Sequence, residues 1–151
     1  MSDVLRSGRR VSAVIRAYNE SRYIGRLLKG LAQQTVKPDE IILVDSGSTD
    51  DTVQIAEAAG CRIVHIAKDE FSFGRALNRG CAAANGDILL FASAHVYPVY
   101  NTHVEHIVKA FDRDGAAVVY ARQVGDDRTK FSASRVLVKG APNHNIRDQA
   151  H

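Results

Sequence analysis

The chain has little of what marks a secreted, membrane-spanning or metal-stapled protein. Its 151 residues include only two cysteines, Cys61 and Cys81, and neither sits in a C-x-x-C or paired-histidine spacing. Both lie in apolar patterns, so they read as buried, reduced thiols of a reducing compartment. No stretch approaches the ~18 consecutive apolar residues of a membrane helix. Met1–Arg10 has no apolar centre of the signal-peptide kind. The expected location is therefore cytoplasmic, with a peripheral position at the inner membrane face left open. Runs of lysine and arginine interleaved with aromatics are also missing, which disfavours nucleic acid. The net charge of +3 describes a mildly basic surface that suits an anionic small ligand or a membrane surface. There are no internal repeats and no low-complexity tracts.

What the chain does have is ordinary globular composition, 45% hydrophobic and 25% charged, at a length that buries the core of one domain. Val11–Arg16, Ile41–Val44, Arg62–Ile66, Ile88–Ala92 and Ala116–Ala121 read as strands. Between them lie helix patterns. In Arg22–Gln34, the residues Ile24, Leu27, Leu28 and Leu31 recur at i, i+3, i+4 and i+7. Ser48 and Asp51 have the S-x-x-D spacing of a helix start before Thr52–Ala59, and Gly60 stands where a helix ends. Gly74–Ala84 is stopped by Asn85-Gly86, and Asn101–Phe111 puts Val104, Ile107, Val108 and Phe111 on one face. Strand and helix in alternation predict a parallel sheet with right-handed crossovers, an α/β fold of three layers.

Such a sheet brings the carboxyl ends of its strands to one rim, where ligands bind. Four polar junctions fall there: Ala17-Tyr18-Asn19, Asp45-Ser46-Gly47-Ser48, Ala67-Lys68-Asp69 and Ser93-Ala94-His95. Asp45 closes a buried strand, an expensive place for a carboxylate unless it is used or satisfied. The turn after the first strand has no glycine, which excludes the G-x-G-x-x-G dinucleotide fingerprint, and no P-loop occurs. An aspartyl-phosphate role for Asp45 wants a second acid in the same turn, where Gly47 stands. The remaining reading is a nucleotide lying across the first two strand ends. Tyr18 is then either a base contact or a core aromatic, and Asp45 accepts from base or ribose. The Ser46–Ser48 turn offers backbone donors.

Four stretches in register carry a resemblance. Val11-Ser-Ala-Val-Ile-Arg-Ala-Tyr-Asn-Glu20 and Ile42-Leu-Val-Asp45-Ser-Gly-Ser-Thr-Asp-Asp-Thr52 come first. Gly74-Arg-Ala-Leu-Asn78-Arg-Gly80 and Asn85-Gly-Asp-Ile-Leu-Leu-Phe-Ala-Ser-Ala-His95 follow. Together, over Val11 to Pro98, they resemble the family 2 glycosyltransferases. The resemblance implies a Rossmann-like GT-A fold with a mostly parallel sheet, truncated on its C-terminal side. It implies residues 1–122 as a domain binding a nucleoside-diphosphate sugar, and 123–151 as a polar extension with an incomplete acceptor region. It places Ala17, Tyr18, Asn19 and Asp45 at the nucleotide, and Arg75 and Asn78 on the diphosphate side. Ser46 stands where many members carry an acid that pairs with uracil. Ser93-Ala94-His95 replaces the usual Asp-x-Asp, whose last acid holds a divalent metal. Ser93 and His95 are thus donor-site candidates. Either His95 ligates a divalent ion, Mn²⁺ or Mg²⁺, or His95, Arg75 or Lys68 supplies the positive charge directly.

The catalytic base of inverting members lies in a later acidic motif. Asp126 and Asp127 come too early for it and read as part of a solvated turn with Arg128, Thr129 and Lys130. Two functions stay open. One is sugar transfer to an acceptor hydroxyl, on a glycan or a lipid-linked acceptor, in polysaccharide biosynthesis. The other is a non-catalytic nucleotide-binding or self-associating module of the same fold. A homo-oligomer is expected in either case.

Overall fold

The computed structural model describes residues 8–114, 117–119 and 121. The chain forms two compact units, Met1–Lys109 and Ala110–His151. The first carries four strands, β1 (Val11–Ala17), β2 (Glu40–Asp45), β3 (Arg62–His65) and β4 (Ile88–Ser93). They alternate with α1 (Ile24–Ala32), α2 (Thr52–Ala58) and α3 (Phe73–Ala83), and α4 (His103–Asp114) follows β4. All pairings are parallel, in the order β3-β2-β1-β4. The expected α/β architecture is therefore the observed one.

The fifth strand expected at Ala116–Ala121 is not seen: Ala117, Val118, Val119 and Ala121 carry no strand pairing. An apolar run of that length suits a strand, but only a partner strand makes it one. The 123–151 extension and the Asp126–Lys130 cluster lie outside the described residues.

β1 is central, and six of its seven residues are buried, as a parallel strand covered on both faces requires. Val14, Ile42, Val44, Ile66 and Ala76 form one core cluster, on the face where α3 lies. Gly80 of α3 lets the helix sit directly on Val14 and Val44. Ala13, Ile15 and Leu43, at the alternate positions, are fully buried as well. The two crossovers that run from β1 to β3 share a direction, so right-handedness puts α1 and α2 together on this second face. Gly25 of α1 faces Ile55 of α2.

The amino ends of the strands are tied below the sheet. Ser12 Oγ donates to Glu40 and accepts from the Gly86 N–H at 2.8 Å, and Glu40 also accepts from the Asn85 N–H. Those bonds satisfy a fully buried hydroxyl and hold Glu40 below the usual carboxylate range. At the opposite rim, the sheet order has a direct consequence. The chain steps from β1 outward to β3, then returns to place β4 on β1's other side. The switch point therefore opens between the ends of β1 and β4.

Candidate functional site

The rim is built on two loops sewn together. The Asn19 N–H donates to Ser48 Oγ at 2.9 Å, and Asn19 Oδ1 accepts from the Thr49 N–H at 2.8 Å. The Glu20 N–H donates to Thr52 Oγ1 at 2.8 Å, and the Ser21 N–H to Asp50 at 3.0 Å. Asp50 accepts in addition from the N–H and hydroxyl of Thr52. These donors hold the Asp50 carboxyl far below its ordinary value, the Thr52 hydroxyl contributing most.

The helix begins at Thr52 as expected, but this network replaces the expected cap. Asp51 occupies the cap position of α2 without a side-chain cap bond, and Ser48 turns to the first loop instead. Asp50, one residue earlier, takes the Thr52 N–H. The S-x-x-D spacing was in the chain, but a partner about 30 residues away competed for the serine.

Asp45 has a use inside the fold. Its side chain is 3% exposed, and it accepts from the Gly47 N–H at 3.1 Å and the Ser48 N–H at 3.2 Å. Gly47 there has φ 92°, a backbone that favours glycine. His65 Nδ1 stands 3.4 Å from the same carboxylate. Ser46 is buried too, and its N–H and hydroxyl both point to the Ala17 carbonyl. Ala17 is buried at the end of β1. Asn19 is exposed, with its side chain given to Thr49.

Tyr18 is 43% exposed, which excludes the core-aromatic alternative. Lys68, from the loop after β3, donates to its hydroxyl at 3.1 Å and lies 5.1 Å from its ring centre. Arg75 and Asn78 share a cleft of about 320 Å³ with Ile66, Glu70 and Arg79. Glu70 pairs with Arg79 at 2.7 Å, Arg79 reaches the His65 carbonyl, and Arg75 reaches the Glu70 carbonyl. Tyr18 and Lys68 thus meet at the carboxyl ends of β1 and β3, Asp45 is buried at the end of β2, and Arg75 and Asn78 line the cleft beside the loop that follows β3. Ser93 and His95 lie across β1, at the switch point. His95 is 59% exposed, with Nδ1 3.3 Å from Glu20 Oε1.

The described side chains do not by themselves assemble a divalent-ion site. Among the described residues no three His, Cys, Asp or Glu side chains gather to hold one. The Glu20–His95 pair offers one oxygen and one nitrogen, whereas Mg²⁺ demands a near-octahedral shell of oxygens.

Sequence reasoning missed Arg16, Glu20, Asp50 and Thr52. Glu20 and Asp50 stood inside the family-like stretches, but nothing local marks two acids as loop fasteners. Arg16 is one charged residue in an apolar run; its burden at the end of a buried strand was the available signal.

The family profile described as Glycosyl transferase family 2 matches residues 12–149. An uncharacterized glycosyltransferase of Nostoc sp. is 33% identical, over 83% of this chain and 41% of its own length. Glucosyl-3-phosphoglycerate synthase of Mycolicibacterium smegmatis is 33% identical, over 74% of this chain and 43% of its own. The glucosyl-3-phosphoglycerate synthase of Mycobacterium tuberculosis, solved with Mn²⁺, UDP and glucosyl-3-phosphoglycerate, superposes with a TM-score of 0.60 at 31% identity, covering 73% of this chain and 42% of that one. The chain thus spans less than half the length of these relatives. No helix among the described residues is long and apolar enough to cross a membrane. The parallel sheet, its polar carboxyl rim and the match over residues 12–149 agree: this chain belongs to glycosyltransferase family 2.

Proposed function

We propose that the rim binds a nucleoside-diphosphate sugar and that the protein transfers the sugar to an acceptor hydroxyl. The observation that carries the reading is a polar carboxyl rim on which Lys68 meets the exposed Tyr18, while Arg75 and Asn78 line a cleft with Ile66 and Glu70 of the same loop that carries Lys68. The complexes of UDP and of UDP-glucose with the similar mycobacterial synthase support it.

In this reading the exposed Tyr18 ring flanks the base. Asp45 acts as a positioning residue, holding the Gly47–Ser48 turn that forms the neighbouring wall. Arg75 and Asn78 face the diphosphate. The acceptor oxygen forms a bond to the anomeric carbon, the bond from that carbon to the diphosphate oxygen breaks, and the electron pair leaves on the diphosphate. Cations aimed at that developing charge lower the barrier; here Lys68, Arg75 and His95 supply them. The acceptor's proton passes to a base that the described residues do not assign, and no step runs through a metal ion. Residues 1–122 form the donor-binding part in this reading, and 123–151 belong to the acceptor side.

Calorimetric titration with UDP-, GDP- and dTDP-sugars tests the reading. Binding of one of them, weakened roughly tenfold or more by Tyr18→Ala or Arg75→Ala, is the expected result. No binding to any would sink it. A Mn²⁺-dependent gain in affinity that His95→Ala abolishes would assign His95 as a ligand. Binding with no sugar release to water or to a lipid-linked acceptor would identify a binding module in place of the transferase.

A further inference from the structure

We infer that Arg16 is an anion-binding residue at the switch point, and that the diphosphate of the nucleotide donor is the group it takes. The inference rests on the nucleotide reading above but on a different residue and a different side of β1. Arg16 is the penultimate residue of the central strand and is half-buried in an otherwise buried run. It lies in register with Ser93, the last residue of β4. One terminal nitrogen comes within 3.5 Å of Ser93 Oγ. The guanidinium carbon stands 4.7 Å from the centre of the Phe73 ring, and Phe71 packs edge-on against that ring at 5.5 Å.

A guanidinium stays charged at every pH a protein survives. Taking it out of water without a counter-ion is costly. Yet the acids of the described ion pairs are committed elsewhere: Asp45 to His65, Glu70 to Arg79, Glu20 to His95 and Glu105 to Lys109. Among the described residues Arg16 meets an aromatic face and a hydroxyl but no carboxylate. The Phe73 face holds the guanidinium without using its hydrogen-bond donors, and apart from the long contact to Ser93 these are left for a ligand. Phe73 also opens α3, so the positive end of that helix's dipole lies beside the guanidinium. A cation gains nothing from that neighbour; an anion gains from both.

The choice of anion follows from placement. Tyr18, the base-side residue, is two positions along the same strand end, so a ligand anchored there presents its phosphates within the neighbouring crevice. A planar fork reads phosphate oxygens in pairs. Arg16 therefore supplies fixed positive charge at a place where the described side chains do not assemble a metal site.

The experiment is calorimetric titration of the full chain with uridine, guanosine and thymidine, with their diphosphates, and with inorganic pyrophosphate. Wild type is compared with Arg16→Gln and Arg16→Lys, folding being confirmed by circular dichroism. The expected result is a loss of order tenfold or more in diphosphate and pyrophosphate affinity for Arg16→Gln, with the nucleoside affinity unchanged. Arg16→Lys is expected to lose less, since it keeps the charge but not the fork. Folded Arg16→Gln with undiminished diphosphate affinity overturns the inference and leaves the nucleotide reading standing. Pyrophosphate binding that depends on Arg16, with no nucleotide bound by wild type, supports Arg16 as an anion-binding residue and overturns the nucleotide donor as its ligand, together with the nucleotide reading. If Arg16→Gln does not fold, Arg16→Lys decides, and an unchanged affinity in that variant counts against the inference.

Discussion

Asn19 carries more of the rim than its exposure implies. It is the one described non-glycine residue with positive φ, 51°, a conformation that asparagine tolerates better than most residues. That turn is what aims its N–H at Ser48 and its side-chain oxygen at the Thr49 N–H. Backbone geometry and side-chain acceptor thus act together, and a substitution can separate them. Asn19→Ala loses both and is expected to cost about 1–3 kcal/mol. Asn19→Gly keeps the backbone, loses only the acceptor, and is expected to cost less. Urea unfolding of the three proteins checks the order; equal losses for alanine and glycine would mean that the left-handed turn contributes nothing. Asp45 makes a similar point at the same scale. A buried acid at a strand end invited a ligand, and its own turn supplies the N–H groups that satisfy it.

At the scale of elements, α3 is the piece that joins core to site. Its first residue stacks on Arg16, its middle residues face the Arg75–Asn78 cleft, and Gly80 brings it onto the sheet. A Cβ at Gly80 would run into the Val14 side chain and come within 3.1 Å of Val44 Cγ2. Both neighbours are fully buried branched side chains on the two central strands, with no free end to swing away. Gly80→Ala is therefore expected to destabilise by about 1–3 kcal/mol, despite alanine's better helix propensity. Chemical denaturation measures this, and a stabilised variant would show that α3 rides higher on the sheet. The elements themselves were legible in the sequence because apolar runs and helical spacing are local signals. Ile24, Leu27, Leu28 and Leu31 are the buried residues of α1, as their spacing predicts. The rim was legible from alternation alone, since parallel strands share a carboxyl edge. What was not legible is pairing between distant polar residues. Ser48 serves Asn19 rather than its own helix. Gln34, buried at the end of α1, donates to the carbonyls of Gly30 and Tyr100 and accepts from the Val104 N–H. Nothing in a helix pattern marks a glutamine as the clasp between two segments 70 residues apart.

For the molecule as a whole, the polar fastenings make stability a function of pH in two windows. His103, at the start of α4, has its pKa lowered, first by burial and then by the nearby His106. Its folded value lies below its unfolded value near 6.5, so the unfolded chain binds more protons just below that pH. The stabilisation is complete above pH 6.5 and is lost as pH falls below it. Asp50 and Glu40 are both depressed by the hydroxyl and N–H donors around them. Their contribution is complete above their ordinary values of 3.8 and 4.5 and is lost as pH falls further. The fall in stability should therefore come in two steps, the first belonging to a helix end and the second to the rim loops, the strand feet and Glu105 of α4, a carboxyl also depressed by its bonds to Lys109 and Thr35. Urea unfolding at intervals from pH 7.5 to pH 3 is the measurement. His103→Asn is expected to flatten the first step and leave the second. Asp50→Asn is expected to lower stability at pH 7 and to converge on the wild type in acid, because protonating Asp50 removes in the native protein what the substitution removes outright. A first step that survives in His103→Asn would assign it to another group, and an Asp50→Asn deficit that persists unchanged to pH 3 would mean that the loop network does not depend on the ionised carboxylate.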